Sequence, residues 1–207
     1  MAVSISSGAK RRAWQRMLSG RRLDLLDPSP LDIEIDDIAH GLARVARWNG
    51  QTSGAQPFSV AQHSILVVSI VEALHPKIGV AAHLAALLHD AAEYVIGDMI
   101  SPFKAVIGDD YLDVERRLMG AIHRRFGLTH PIPDATVAAI KAADRICAFH
   151  EATTLAGFEH AEAQQFFGRP RIGRQELDLD PWPTSLAEER FIARFRGLSA
   201  ALSEVQR

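Results

Sequence analysis

The spacing of apolar residues predicts helices over most of the chain after residue 36. Apolar positions that recur three and four residues apart are typical of helices, and the predicted helices begin near Asp36, Ser59, Ile78, Asp109, Asp134 and Ser185. Two of these starts carry a serine followed three residues later by Gln or Glu, which is the capping-box pattern of a helix N-terminus. We therefore expect an all-α helical bundle of about six helices.

Turn-forming residues set the expected helix ends. The first helix should end near Trp48-Asn49-Gly50 and the second at Leu74, before Pro76. The third, which we expect to be the central helix, should run from about Ile78 to Ile96 and stop at Gly97. The remaining helices are expected at 109–126, from 133–134 onward, and at 184–207.

Two regions lack a helical period. Alternation at Leu23/Leu25 and Ile33/Ile35, around Asp27-Pro28, favours a small N-terminal β-hairpin. Residues 157–183 predict an irregular loop with a short helix at 159–166, and a loop of that length in a compact domain can cover a site. We expect one domain over 1–207, with a basic arm at 1–22, a core at 36–150, this loop, and the terminal helix.

Composition narrows the function classes. The net charge of −2, from 23 basic and 25 acidic residues, gives no overall field that favours nucleic acid or a membrane surface. The single cysteine, Cys147, excludes an internal disulfide framework and fits a reducing compartment. Residues 1–20 lack the apolar stretch of a signal peptide. We expect a cytoplasmic protein that acts on a small molecule and spans no membrane.

Polar residues interrupt the third predicted helix. His89, Asp90 and Glu93 stand among leucines and alanines, and at about 100° per residue all three fall on one helix face. Ionised carboxylates in apolar surroundings must be paired, hydrogen-bonded or bound to metal. Asp144 interrupts the apolar stripe of a later helix in the same way. These positions are candidates for a cation site.

Taken in order, His63, His89-Asp90 and Asp144 resemble the H…HD…D pattern of the HD-domain metal-dependent phosphohydrolases, which are all-helical. The resemblance implies that these four residues bind one divalent metal ion. Two imidazoles and two carboxylates suit Mn²⁺, Co²⁺, Fe²⁺, Ni²⁺ or Zn²⁺ without choosing among them. A second metal would need His123 and His150, whose surroundings do not match the pattern of two-metal relatives.

Within that family the chain is most similar to the bacterial 5′-deoxynucleotidases. The similarity lies in Glu93 after the doublet, in Gly97-Asp98, Pro102 and Lys104, and in the pair Arg47-Trp48 upstream. It covers roughly residues 36–150. It implies that Glu93 orients or deprotonates the attacking water and that Asp98 assists at the phosphate. Arg47, Trp48 and Lys104 would then bind the substrate, a (deoxy)nucleoside 5′-monophosphate.

Other functions remain open on the same residues. A nucleoside triphosphate hydrolase would use Lys141, Arg145 and the basic stretch 169–174 for a longer phosphate chain. A hydrolase of guanosine stringent-response nucleotides fits less well, because Tyr94 follows Glu93 where those proteins have a Glu-Asp pair. A non-catalytic nucleotide-binding or regulatory module is the third alternative. The terminal helix, with Phe191 and Phe195, suits either core packing or a homodimer.

Overall fold

The computed structural model of the chain describes residues 13–99, 106 and 109–207. In this part the chain forms eight α-helices and one two-stranded sheet, which confirms the all-α class with a small hairpin. The helices are α1 Ile35–Leu42, α2 Val60–Leu74, α3 Val80–Leu87, α4 Glu93–Ile96, α5 Asp109–Arg125, α6 Asp134–Thr154, α7 His160–Phe167 and α8 Thr184–Val205. Short 3₁₀ helices lie at Pro30–Asp32, Arg47–Gly50 and Arg174–Glu176.

Helix α2 occupies the centre of the fold. It packs against α1, α3, α6 and α8, and its buried residues lie on nearly every side. The start at Ser59 is as predicted, since the Ser59 hydroxyl accepts a hydrogen bond from the Gln62 amide at 3.2 Å. The central helix is therefore α2, and the prediction that 78–96 holds this position is wrong.

Gln62 does not complete the predicted capping box. Its buried side-chain amide instead donates to the carbonyl oxygens of Asp178 at 3.1 Å and Asp180 at 2.9 Å. Its carbonyl oxygen accepts from the Trp182 amide at 3.0 Å. These three bonds fix residues 178–182, the end of the predicted irregular loop, over the first turn of α2.

The predicted helix over 78–96 is divided into α3 and α4. Residues 88–92 form tight turns between them. The amides of Ala91 and Glu93 bond to carbonyl oxygens three residues earlier, each at 3.0 Å, whereas α-helical bonds reach back four residues. This division places the His89-Asp90 doublet in an irregular segment.

The first predicted helix is too long. α1 ends at Leu42, and the chain then extends to form a bridge between Ala46 and Ser59. The Arg47 amide donates to the Phe58 carbonyl at 2.8 Å. This pairing takes up backbone groups that a helix would have used, so Arg47 and Trp48 lie in a separate 3₁₀ turn.

One strand of the N-terminal hairpin lies near the predicted Leu23/Leu25 alternation, but its partner precedes it in the chain and does not follow it at Ile33/Ile35. The strands are β1 Trp14–Arg16 and β2 Arg22–Asp24, in antiparallel register, so part of the expected arm at 1–22 belongs to the sheet. Residues 33–35 do not pair, because Ser29 caps the 3₁₀ helix Pro30–Asp32 and the chain then enters α1. Residues 1–12 lie outside the described part.

The helices after residue 109 lie close to the positions that the sequence predicts. α5 and the short α7 begin and end within two residues of their predicted positions, and α6 begins at Asp134 as predicted. α8 begins after Pro183 without a side-chain cap, so the capping box predicted at Ser185 is absent, and Glu188 instead pairs with Arg44 at 2.7 Å. Phe191 and Phe195 are buried in the core of the chain, which is the core-packing role. Among the described helices none has the length and apolar character that crossing a bilayer requires.

We predict that Gly41→Ala destabilises the protein by about 1–3 kcal/mol, the usual cost of overpacking. A Cβ at Gly41 in α1 would lie 2.7 Å from the Cβ of Tyr94 in α4. Urea unfolding measures the change. The control is Gly197→Ala in α8, where a Cβ meets nothing within 4 Å and alanine favours the helix. Equal effects of both substitutions would contradict the close α1–α4 contact.

Candidate metal centre

The break between α3 and α4 begins with the side chain of His89. Its Nδ1 lies 2.8 Å from the carbonyl oxygen of Ala86, which in a continuous helix would accept from the amide of Asp90. By taking this acceptor, the imidazole replaces one helical bond. Neighbouring residues on a regular helix point in different directions, and the break lets His89 and Asp90 face the same place. Nε2 of His89 lies 3.2 Å from Oδ2 of Asp90.

His63 and Asp144 reach this place from two other helices. His63 lies in the first turn of α2 and is fully buried, and Asp144 lies on α6, which packs against α2. Nε2 of His63 is 3.2 Å from Oδ1 of Asp144 and 3.7 Å from Oδ2 of Asp90. Donor atoms of His63, His89 and Asp90 all lie within 4.8 Å of one another. The four residues predicted as metal ligands are thus brought together.

The hydrogen bonds of both histidines determine which nitrogen is available. A carbonyl oxygen only accepts, so Nδ1 of His89 carries its proton. Nδ1 of His63 lies 2.5 Å from Oε1 of Glu151, and an ionised carboxylate also accepts only. In the neutral rings both Nε2 atoms therefore present lone pairs. Both are buried, and neither makes a hydrogen bond within the described part of the chain.

This arrangement requires positive charge between the rings and the carboxylates. Lone pairs that face ionised carboxylates repel them unless each nitrogen takes a proton or one cation serves all of the groups. Asp90, Asp144, Asp98 and Glu151 surround the described cluster, and Arg47 pairs with three of them, Asp90, Asp98 and Glu151. Imidazole nitrogens and carboxylates are also the donors that divalent transition metals prefer. The residues fit a metal ion.

Glu151 is a site residue that the sequence analysis missed. Its side chain is fully buried, and besides His63 it accepts hydrogen bonds from Nε1 of Trp48 at 2.9 Å and from the Cys147 thiol at 3.2 Å. It lies two helical turns after Asp144, on the same face of α6. That spacing of seven residues was the signal in the sequence. Carboxylates that hold the other nitrogen of a histidine ligand fix its orientation and raise its basicity.

Electrostatics keep these acids ionised. Burial raises the pKa of Glu151, but Arg47 and His63 lower it by a larger amount. Its pKa therefore lies well below the usual range. Burial also opposes ionisation of Asp90 and Asp144, and the two histidines outweigh it and lower both pKa values. Burial and Arg47 depress the pKa of His63, yet Glu151 and other neighbours raise it well above its ordinary value. A proton and a metal ion therefore compete for His63.

A second group of possible donors, formed by His63, Cys147 and Glu151, is less suited to a metal ion. Burial, reinforced by Glu151, raises the pKa of the Cys147 thiol to about 12. The thiolate is the form that binds metals, and this residue stays a thiol at neutral pH. It donates to Glu151, so the group is a hydrogen-bonded support for His63.

The Arg47-Trp48 pair lies beside the candidate ligands. The Arg47 guanidinium lies 3.3 Å from Glu151, 3.5 Å from Asp98 and 3.9 Å from Asp90. Burial disfavours its charge, but these carboxylates raise the pKa of Arg47 well above its ordinary value. Arg47 therefore stays charged, and its guanidinium holds the carboxylates of Glu151, Asp98 and Asp90 near one another.

Trp48 has a left-handed backbone, with φ of 58°, followed by Asn49 with φ of 50°. This conformation is uncommon for residues other than glycine and clusters at functional sites. It directs Nε1 to Glu151 and packs the ring against Phe158 and Phe167, with centroids 5.6 and 6.0 Å away. The structure therefore gives Trp48 contacts within the protein, and its contact with a sugar stays a prediction.

The two predicted catalytic acids, Glu93 and Asp98, lie at the start of α4 and just after its end. Glu93 is buried at the start of α4, and Asp98 follows that helix with its side chain 9% exposed. Burial raises the pKa of Tyr111 in α5, and Glu115, Glu93 and Asp98 add to the shift. This phenol is a second neighbour of the site that the sequence analysis did not single out. Lys104 and Pro102 lie outside the described residues.

The histidines considered for a second metal lie elsewhere. Nδ1 of His123 lies 3.1 Å from Nδ1 of His130, between α5 and the segment before α6. Nε2 of His150 lies 2.8 Å from the carbonyl oxygen of Ile172. Each is engaged with groups other than the four candidate ligands, and the number of metal ions stays a prediction.

Comparison with known proteins identifies relatives that are similar in sequence to this chain. It is 60% identical over 160 residues to the uncharacterized protein RCAP_rcc00048 of Rhodobacter capsulatus, a match that spans 77% of this chain and 82% of that protein. It is 32% identical over 115 residues to the uncharacterized protein YfdR of Escherichia coli, across 56% of this chain and 57% of YfdR. No profile of a known protein family matches. The chain belongs to the same family as the Rhodobacter capsulatus protein.

We predict that Glu151→Gln weakens binding of Mn²⁺ or Co²⁺ by about 10- to 100-fold, the usual cost of losing a carboxylate behind a histidine ligand. A glutamine at this position presents one amide oxygen to donors on His63, Trp48 and Arg47, and its NH₂ group opposes one of them. Calorimetric titration of the metal-free protein measures the affinity. Glu204→Gln, at an exposed position of α8, is the matched control. Equal affinities of the two variants would contradict the role of Glu151.

Proposed function

We propose that this member of the family is a metal-dependent phosphohydrolase that cleaves the phosphomonoester of (deoxy)nucleoside 5′-monophosphates. The observation that carries the proposal is the pair of buried Nε2 atoms, on His63 and His89, that face Asp90 and Asp144. These are the residues of the H…HD…D pattern in the HD-domain phosphohydrolases. The 5′-monophosphate substrate rests on the similarity around Glu93, Asp98 and Arg47-Trp48.

In this proposal His63, His89, Asp90 and Asp144 hold one divalent transition metal ion. When bound, such an ion polarises a phosphoryl oxygen and lowers the pKa of water. His63 is kept in the required tautomer by Glu151, and His89 by the Ala86 carbonyl. Because the backbone break at His89 depends on the same Ala86 bond, the local fold and the ligand geometry are formed together.

Glu93 is the proposed general base. It is the first residue of α4, three residues after Asp90, and is buried, and its carboxylate would accept a proton from the attacking water at an Oε atom. Proton transfer to a positioned carboxylate is a standard contribution to hydrolysis. Leu87 at the end of α3 and Leu88 directly after it are fully buried, so apolar side chains precede the doublet in the chain.

Asp98 and Arg47 are the proposed phosphate-side groups. The Arg47 guanidinium is fixed by Glu151 and Asp98 at 3.3 and 3.5 Å, and a fixed planar cation suits phosphoryl oxygens. Asp98 would hold or transfer a proton at the leaving oxygen. Trp48 would contact the sugar, and Lys104 would add positive charge at the phosphate.

We predict that the purified protein with Mn²⁺ or Co²⁺ releases phosphate and nucleoside from deoxynucleoside 5′-monophosphates. Chromatography of the products from ribo and deoxy mono- and triphosphates measures this directly. Tripolyphosphate or pyrophosphate from triphosphates would instead support the alternative nucleoside triphosphate hydrolase. If the metal-loaded protein turned over no nucleotide, the regulatory alternative would replace the proposed activity.

We predict that Glu93→Gln lowers kcat by about 10²- to 10⁴-fold, the range for loss of a general base, while the variant still binds metal. His89→Ala should lose both metal and activity, because it removes a ligand and the bond to Ala86. Metal content by atomic emission and initial rates separate the two effects. A Glu93→Gln enzyme of unchanged kcat would rule out the assigned role of Glu93.

A further inference from the structure

A cleft lies beside α6, apart from the candidate metal centre. It has a volume of about 380 Å³ and lies between the C-terminal half of α6, helix α7 and residues 170–174. Small-molecule sites usually start at about 300 Å³, so the cleft is large enough for a small organic ligand. Phe149 and Ile172 form part of its apolar wall.

The polar lining of the cleft is basic. His150, His160, Arg171 and Arg174 all line it, together with the hydroxyls of Thr153 and Thr154. Among the described lining residues none is an aspartate or glutamate. No ion pair within the described part of the chain involves Arg171 or Arg174, in contrast to Arg47, whose charge is balanced by three acids.

Two of the lining side chains are held by backbone carbonyl oxygens. Nε2 of the buried His150 donates to the Ile172 carbonyl at 2.8 Å, and Nη1 of Arg174 donates to the Leu177 carbonyl at 2.7 Å. The first bond joins α6 to Ile172, and the second lies within the turn at 174–177. Burial lowers the pKa of His150, and the nearby charges of Arg174 and His160 lower it further although the Ile172 bond opposes them. The cleft therefore has a positive potential.

The cleft is separate from the candidate metal centre. On α6, Asp144 and Glu151 lie about 20° apart around the helix axis, at about 100° per residue. By the same measure Phe149 and Thr153 lie about 160° from Glu151. His150 and Thr154, which also line the cleft, lie about 100° and 60° from Glu151, so the cleft is centred on the side of α6 away from the acids and extends around the flank of the helix.

We propose that the cleft between α6, α7 and residues 170–174 binds a phosphate-bearing small molecule at a site distinct from the metal centre. Arg171 and Arg174 supply charge-assisted hydrogen bonds to phosphate oxygens, and the Thr154 hydroxyl supplies a neutral one, whereas the Thr153 hydroxyl donates to the Phe149 carbonyl at 3.0 Å. The apolar wall accommodates an uncharged portion of the ligand. This assignment also means that the basic stretch first considered for a triphosphate chain serves a second site.

The test uses the His89→Ala protein without metal, which removes binding through the metal, and the comparison of Arg171→Gln with Arg169→Gln then assigns the remaining binding to the cleft. Calorimetric titration with inorganic pyrophosphate, and separately with a deoxynucleoside monophosphate, should show saturable binding of one molecule per chain. Arg171→Gln, at an exposed position, should weaken it by about tenfold or more, as expected for loss of a charge-assisted bond. Arg169→Gln is the control, because Arg169 lies two residues away and does not line the cleft.

The two ligands distinguish the sources of the phosphate group. Tighter binding of the nucleotide supports a site that also uses the apolar wall, and tighter binding of pyrophosphate supports a site for phosphate groups alone. Absence of saturable binding of both ligands overturns the proposal, as does equal binding by Arg171→Gln and Arg169→Gln. These outcomes do not depend on hydrolytic activity, so they stand apart from the test of the proposed function.

Discussion

The position of Glu151 determines how the centre of this fold is arranged. Its carboxylate is fully buried and is shared by the ring of His63, the indole of Trp48, the guanidinium of Arg47 and the Cys147 thiol. A buried carboxylate is stable only when it is paired and hydrogen-bonded, and here its partners come from α2, α6 and the turn at Arg47–Gly50. The same bonds leave Nε2 of His63 directed at Asp144 and Asp90.

The second histidine reaches the site by a different route. His89 takes a carbonyl oxygen from its own helix, and the helix divides there. The cost is one regular backbone bond, which the imidazole replaces. The gain is that two adjacent residues, His89 and Asp90, share one side of the site. A helical bundle, whose side chains normally diverge from residue to residue, in this way gathers ligands from three short stretches of chain.

Much of the fold could be predicted from the sequence, because α2 and α6 have clear helical patterns, whereas the four candidate ligands were predicted from the resemblance to the H…HD…D pattern and not from helical spacing. The break at His89 could not, since the apolar spacing continues through it and does not reveal the bond of the His89 ring to the Ala86 carbonyl. The left-handed turn at Trp48 depends on long-range pairing with Phe58, which local patterns do not contain. Glu151 was predictable in principle from its spacing after Asp144, but a single acid in a helix is usually exposed.

The central claim is that one divalent metal ion lies between His63, His89, Asp90 and Asp144. Anomalous X-ray diffraction at the absorption edge of cobalt, from crystals of the protein loaded with Co²⁺, locates the ion directly. If the ion binds there, we expect a single strong peak within bonding distance of Nε2 of His63, of Nε2 of His89, and of the carboxylates of Asp90 and Asp144. A fully loaded protein whose peak lies elsewhere, or a crystal with no peak at this position, would contradict it.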